Sequence, residues 1–243
     1  MKVTKTLPLI GMIVPPAHGE VPVEPQELYS DRACFIARGL ALQALTEEGY
    51  DGVIDRVVDL ACELRDAGAQ AISLMGTSLS FYRGEAFNRD LIARMQDVTG
   101  LPATTMTDAV IDGLHAVGAR RIAVATAYDT SVNRLLSVYL EKAGFEIASL
   151  ASLQLTDLDV VQAMGAEELI ALGDEALAAA EGDVDALFIS CGGLKTLPVN
   201  PVLEARHGLP VISSALAGAW GAMRCAGLDS RAEGAGRLFR IGG

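Results

Sequence analysis

The sequence predicts an α/β protein made of two similar parallel-sheet α/β domains related by a pseudo-two-fold axis, with the active site in the cleft between them. Three observations carry this. Short β-branched runs alternate with longer amphipathic segments along the chain, the pattern of a parallel sheet covered by helices. The segment GLPATTMTDAVIDGLHAVG at 100–118 lines up with GLPVISSALAGAWGAMRCA at 208–226, sharing Gly-Leu-Pro and the in-register pair Gly113 and Gly221. Upstream of each repeat, the strand at 7–14 precedes that at 70–75 by almost the same separation as 121–127 precedes 185–190, so one order of elements occurs twice. The two domains are expected at 1–118 with 217–243, and at 119–216.

In chain order, strands are expected at LPLIGMIV (7–14), QAISLM (70–75), LPATT (101–105), RIAVATA (121–127), FEIASL (145–150), DALFIS (185–190) and LPVISS (209–214). Each is a short apolar run bounded by turn residues. Helices are expected at 47–67, 86–99, 107–118, 131–143, 166–181, 199–207 and 215–227, where apolar residues recur at helical spacing. Gly68, Gly100, Gly144 and Gly208 each follow the last periodic residue of a helix, where a left-handed residue closes the final turn.

With 243 residues, 51% hydrophobic content and a mean hydropathy of +0.33, the chain has ample apolar mass for a large core. No apolar run approaches the ~20 residues that cross a bilayer, and the opening MKVTKTLPLIGMIVPP has no small-residue cleavage site. A cytoplasmic monomer without membrane association is expected. The net charge of −12, unrelieved by any Lys/Arg cluster, repels phosphate backbones and argues against nucleic acid as a partner. It also disfavours small anions at long range, so a carboxylate ligand has to be held by local donors.

Cysteines 34, 62, 191 and 225 show no Cys-x-x-Cys or Cys/His metal spacing, so free thiols and no metal are expected. Cys62 and Cys225 lie in helical patterns and read as buried, inert thiols, while Cys34 has no chemical neighbour in sequence. Cys191 ends an apolar strand and enters a Gly-Gly turn, which presents its sulfur at the carboxyl edge of the sheet, where parallel sheets bind ligands. His115 falls inside a helix and His207 near a helix end, where interaction with the helix dipole accounts for them. His18 lies on the first strand-end loop, but no spacing supports a catalytic role for it.

The four strand ends read PPAHG, MGTSLS, AYDTS and SCGGLKT, rich in small residues and hydroxyls. Backbone N–H groups of Gly-containing turns converge on anions, and Thr77, Ser78 and Tyr128 add hydroxyl donors. Taken singly, each loop reads equally well as strand termination and helix capping.

The runs IGMIVPPAHG, SLMGTSLSFYRG, VATAY and SCGGL, with the Gly-Leu-Pro repeat, resemble the arylmalonate decarboxylases of the aspartate/glutamate racemase superfamily over nearly the whole chain. The resemblance implies two duplicated parallel α/β units, no metal or organic cofactor, and conversion of an α-aryl or α-alkenyl malonate to one enantiomer of the monoacid. It implies a retained carboxylate held by Thr77, Ser78, Tyr128 and the backbone of Cys191 and Gly192, with Gly76 beside them. The departing carboxylate would sit against Pro15, Leu42, Leu45, Tyr50, Leu158 and Val161.

That division of labour makes chemical sense. Apolar walls strip water from the carboxylate that leaves as neutral CO₂, and donors stabilise the charge that develops on the other. A conjugated aryl or alkenyl group is its own electron sink. The related racemases carry a cysteine at the equivalent strand end of each half; here Gly76 stands in the first half and Cys191 in the second, so a proton arrives from one face only. An apolar environment keeps that thiol protonated, as an acid must be. Lys195 departs from the family pattern, which has an apolar residue after the Cys-Gly-Gly turn; it points either to solvent or to a further anionic group on the substrate. Two other readings stand beside the decarboxylase: a racemase or cis-trans isomerase of the same superfamily acting on a small carboxylate, and a two-lobed carboxylate-binding protein.

Overall fold

The computed structural model describes residues 7–241. In the first half the elements run β1 (Leu9–Val14), α1 (Val23–Tyr29), β2 (Cys34–Gly39), α2 (Glu47–Asp51), α3 (Arg56–Asp66), β3 (Ala71–Leu74), α4 (Thr77–Phe81), α5 (Glu85–Thr99), β4 (Ala103–Thr105) and α6 (Met106–Ala116). The second half continues with β5 (Arg121–Thr126), α7 (Thr130–Lys142), β6 (Glu146–Ser152), α8 (Leu158–Gln162), α9 (Ala166–Ala178), β7 (Ala186–Ser190), α10 (Asn200–His207), β8 (Val211–Ser213) and α11 (Ser214–Cys225). The strands form two parallel sheets with the same order, β2-β1-β3-β4 and β6-β5-β7-β8.

The inner strands β1, β3, β5 and β7 are buried almost throughout, because helices cover both faces of each sheet. All seven expected strands are present, and the left-handed glycines 68, 100, 144 and 208 close helices as expected. Strand β2 was not expected: CFIARG is a half-exposed edge strand without clean alternation, and only pairing with β1 makes it extended. The expected helix 47–67 is two helices, with the chain turning at Gly52, which caps α2. The short helices α1, α4 and α8 were also not expected; five to seven residues carry too little periodicity to read.

The repeated helices α6 and α11 pack against one another. A Cβ at Gly221 would fall 2.4 Å from the Ala109 Cβ, so the glycine that marks the sequence repeat is what lets the two backbones touch. Helix α11 follows β8 of the second sheet yet packs on β3, β4 and α6 of the first. A buried amide on α5 adds a polar tie: Asn88 donates to Asp108 (2.5 Å) and to the Tyr139 hydroxyl on α7 (3.1 Å), and accepts from Thr105 (2.9 Å).

All four cysteines are free. Cys62 and Cys225 are half-buried, not buried as expected, and Cys34 is exposed. On α3 the buried stripe is Val57, Leu60, Ala61 and Leu64, and Cys62 sits on its flank.

Candidate active site

Cys191 follows the last residue of β7 and is 4% exposed. Its φ is +146°, a conformation that costs a non-glycine residue about 1–3 kcal/mol and collects at functional sites. The other two such residues in the described chain, Ala41 (φ 61°) and Gln154 (φ 55°), lie in the loops after β2 and β6. Those loops are tied together: Leu42 N–H donates to the Pro15 carbonyl (2.9 Å) and Leu45 N–H to that of Thr156 (2.8 Å). Burial pushes the Cys191 thiol up to about 11, partly offset by the Gly193 N–H and the Tyr128 hydroxyl that face its sulfur. At neutral pH it is a thiol.

The Cys191 N–H, expected to help hold a carboxylate, already donates to the Ser214 hydroxyl at 3.2 Å. Sequence reasoning missed Ser214, although the strand LPVISS that ends there was legible.

Hydroxyls surround the sulfur. Tyr128 is fully buried, with Ser190 (3.5 Å), Thr77 and Cys191 as its polar neighbours and the Phe81 ring edge-on at 5.8 Å. Thr77 donates to the Met106 sulfur at 3.1 Å. Tyr50 is also fully buried, and its hydroxyl faces Ser78 and Cys191 with a hydrogen bond to neither. Burial pushes both tyrosines well above their ordinary range, so both remain neutral donors. Expected as part of an apolar wall, Tyr50 packs its ring edge-on against Tyr82 (5.2 Å) and turns its hydroxyl toward the polar cluster. Gly76, with φ −145°, joins β3 to α4 at the head of the Thr77-Ser78 segment.

The Cys-Gly-Gly turn runs between the halves. A Cβ on Gly192 would fall 2.8 Å from the Met106 sulfur and 3.3 Å from the Met75 carbonyl, both in the first half. A Cβ on Gly193 would fall 3.2 Å from Val161 and 3.8 Å from Leu158 on α8. Leu42 and Leu45 are buried in the loop after β2. A cavity of about 270 Å³ opens over this turn, lined by Pro15, Met75, Leu158, Gly192 and Gly193, with the buried Glu24 in its wall and the exposed His18 and Lys195 toward its rim. Thr77, Ser78, Tyr128, Cys191 and Tyr50 do not line it and form a buried cluster, and Leu42, Leu45 and Val161 are likewise buried and outside its lining. A larger groove of about 740 Å³ beside Arg32, Glu204 and Arg237 contains none of the expected site residues.

A family model described as arylmalonate decarboxylase matches residues 10–239. The chain belongs to the arylmalonate decarboxylase family. An arylmalonate decarboxylase from Bordetella bronchiseptica is 49% identical over 233 residues, covering 96% of each chain. A liganded glycine-to-cysteine, cysteine-to-serine double mutant of arylmalonate decarboxylase superposes with a TM-score of 0.93 at 48% identity, covering 96% of this chain and 98% of that one. The maleate isomerase Iso of Pseudomonas putida S16 superposes with a TM-score of 0.88 at 26% identity, covering 96% and 98%. Membership makes this chain an enzyme, of the carboxy-lyase class.

In this decarboxylase-family chain the histidines stand apart from the buried cluster. His18 is exposed at the cavity rim, 3.8 Å from Glu20; His115 stacks on Phe145 at 4.8 Å; His207 meets Asp174 at 2.7 Å. Lys195 is exposed, yet lines the cavity. Among the described residues no three His, Cys, Asp or Glu side chains come together as a metal site would require, and no helix is long and apolar enough to cross a membrane.

Proposed function

We propose that this protein converts α-aryl or α-alkenyl malonates to a single enantiomer of the monoacid and CO₂, without a cofactor, through an enediolate that Cys191 protonates. The observation that carries this reading is a buried thiol, held in its protonated form, facing a cluster of neutral hydroxyl donors.

One carboxylate is held by Thr77, Ser78, Tyr128 and the Gly192 N–H, with Gly76 leaving room beside it. The orphan hydroxyl of Tyr50 finds its missing acceptor in substrate oxygen. The other carboxylate lies against Pro15, Leu42, Leu45, Leu158, Val161 and the Tyr50 ring, where water is excluded and loss of charge is favoured. Its C–C bond to the α carbon breaks, CO₂ leaves, and the electron pair passes into the retained carboxylate as an enediolate. The Cys191 S–H then gives its proton to the α carbon. The thiolate left behind, stabilised by the Gly193 N–H and the Tyr128 hydroxyl, is reprotonated from water. Preorganised donors and a dry wall supply the stabilisation.

The division of the chain into 1–118 with 217–243, and 119–216, belongs to the same reading; the packing of α11 on the first sheet supports it. A monomer fits the scattered exposed valines 23, 98, 138, 160 and 202.

Racemization or isomerization, as in the maleate isomerase relatives, would need a second group on the opposite face. The remaining cysteines lie at the start of β2, on α3 and at the end of α11, away from the strand ends that meet at Cys191. The test is incubation with phenylmalonate in D₂O. Release of CO₂ with one solvent deuteron in an optically enriched product is expected; racemic product, or turnover of maleate in its place, overturns the reading.

A further inference from the structure

An arylmalonate presents three groups at its α carbon, two carboxylates and the conjugated substituent. The hydroxyl cluster accounts for one carboxylate and the Leu42, Leu45 and Val161 wall for the other. Pro15, Leu158 and Gly192, which border the two carboxylates, also line the 270 Å³ cavity, so the cavity opens directly off the reacting centre and offers the conjugated group its space. Near the Cys-Gly-Gly turn its walls carry the apolar Pro15 and Leu158 beside Gly193. Toward the rim they carry charge.

The charges there are unequally committed. Glu24 is 5% exposed and its carboxylate faces the backbone N–H groups of Glu24 and Thr196. Burial raises its pKa, and the backbone N–H groups and the Lys195 charge act the other way. Glu20 is exposed and stands 3.8 Å from His18. Lys195 lines the same cavity, is exposed, and makes no ion pair or side-chain hydrogen bond among the described residues. It acts on the buried Glu24 carboxylate from beyond contact distance and stays a solvated cation at the mouth of a cleft in a chain of net charge −12.

We infer that Lys195 is a specificity-determining residue, favouring malonates whose aryl or alkenyl group carries a further anionic group at its far end. This deepens the decarboxylase reading and rests on it. An ion pair at a solvated rim is worth little and is screened by salt, so the expected preference is modest, about fivefold.

The test compares kcat/KM for 4-carboxyphenylmalonate and phenylmalonate in the intact protein, Lys195→Met and Lys195→Glu. The ratio of the two values is expected to fall about fivefold in Lys195→Met, further in Lys195→Glu, and to converge among the three proteins at high salt. A ratio that Lys195→Glu leaves unchanged overturns the inference, whether both substrates slow equally or neither does. Failure of the intact protein to decarboxylate either malonate is a separate result: it removes the decarboxylase reading and the inference with it.

Discussion

Gly192 approaches Met106 so closely that a Cβ on the glycine would fall 2.8 Å from the methionine sulfur. The contact joins the turn that follows β7 in one sheet to the first residue of α6 beside the other. Gly192→Ala is therefore expected to push the turn away from the Thr77–Tyr128 cluster, cutting kcat/KM by about tenfold or more and stability by about 1–3 kcal/mol. Adding Met106→Ala opens space and should recover part of both losses. Steady-state assays and urea melts of the single and double variants check this; full activity in Gly192→Ala would mean that the turn has slack.

Cys191→Ala should lower turnover by about 100- to 10,000-fold while leaving substrate affinity nearly intact, the signature of a group that acts in proton transfer. Because the folded thiol is pushed up to about 11 from an ordinary value of 9.0, activity should stay flat in this group through neutral pH and fall as pH approaches 11.

The same shift has a consequence for folding. A thiol whose folded pKa lies above its unfolded value contributes stability that is complete below about pH 9 and is lost as pH rises through about 11. That difference corresponds to at most about 3 kcal/mol. Urea melts at pH 8 and pH 10.5 should show a smaller alkaline loss in Cys191→Ala than in the parent; an identical loss would assign the effect to other groups.

Gly76→Cys supplies a thiol in the first half at the strand end corresponding to Cys191. The backbone accepts it, since φ is −145° and the nearest obstacle to a Cβ is the flexible Leu79 side-chain end at 2.7 Å. The expected result is monoacid of eroded or inverted enantiomeric excess, read by chiral chromatography. Unchanged stereochemistry would mean that the two strand ends do not face opposite sides of the substrate carbon.

Tyr50→Phe separates stability from function. Its hydroxyl is buried without a hydrogen bond, so removing it should leave the unliganded protein as stable or up to about 1 kcal/mol more so. If substrate oxygen is the missing acceptor, kcat/KM should still fall about tenfold. Loss of stability together with activity would mark the hydroxyl as structural.

The α/β class, the duplicated order of elements and seven of eight strands were legible in the sequence. A strand buried on both faces must be apolar throughout, and β1, β3, β5 and β7 carry that signature within a few residues each. Cys191 was legible for a related reason: it ends such a strand and enters Gly-Gly. The edge strand β2, the break between α2 and α3, and the short helix α4 that carries Thr77 and Ser78 were not, because pairing or packing makes them and local pattern does not.

By itself, then, the sequence determined the architecture, the family and the one thiol at a strand end, since these rest on local patterning and on residues close together in the chain. The tertiary structure alone decided that the Cys191 N–H is taken by Ser214, that Tyr50 brings an unpartnered hydroxyl beside Ser78, and that Lys195 stands at the cavity rim. Each of these depends on contacts between segments distant in sequence. A thiol's acidity and a hydroxyl's partner are set by what folding brings within a few ångströms, and no spacing along the chain encodes that directly.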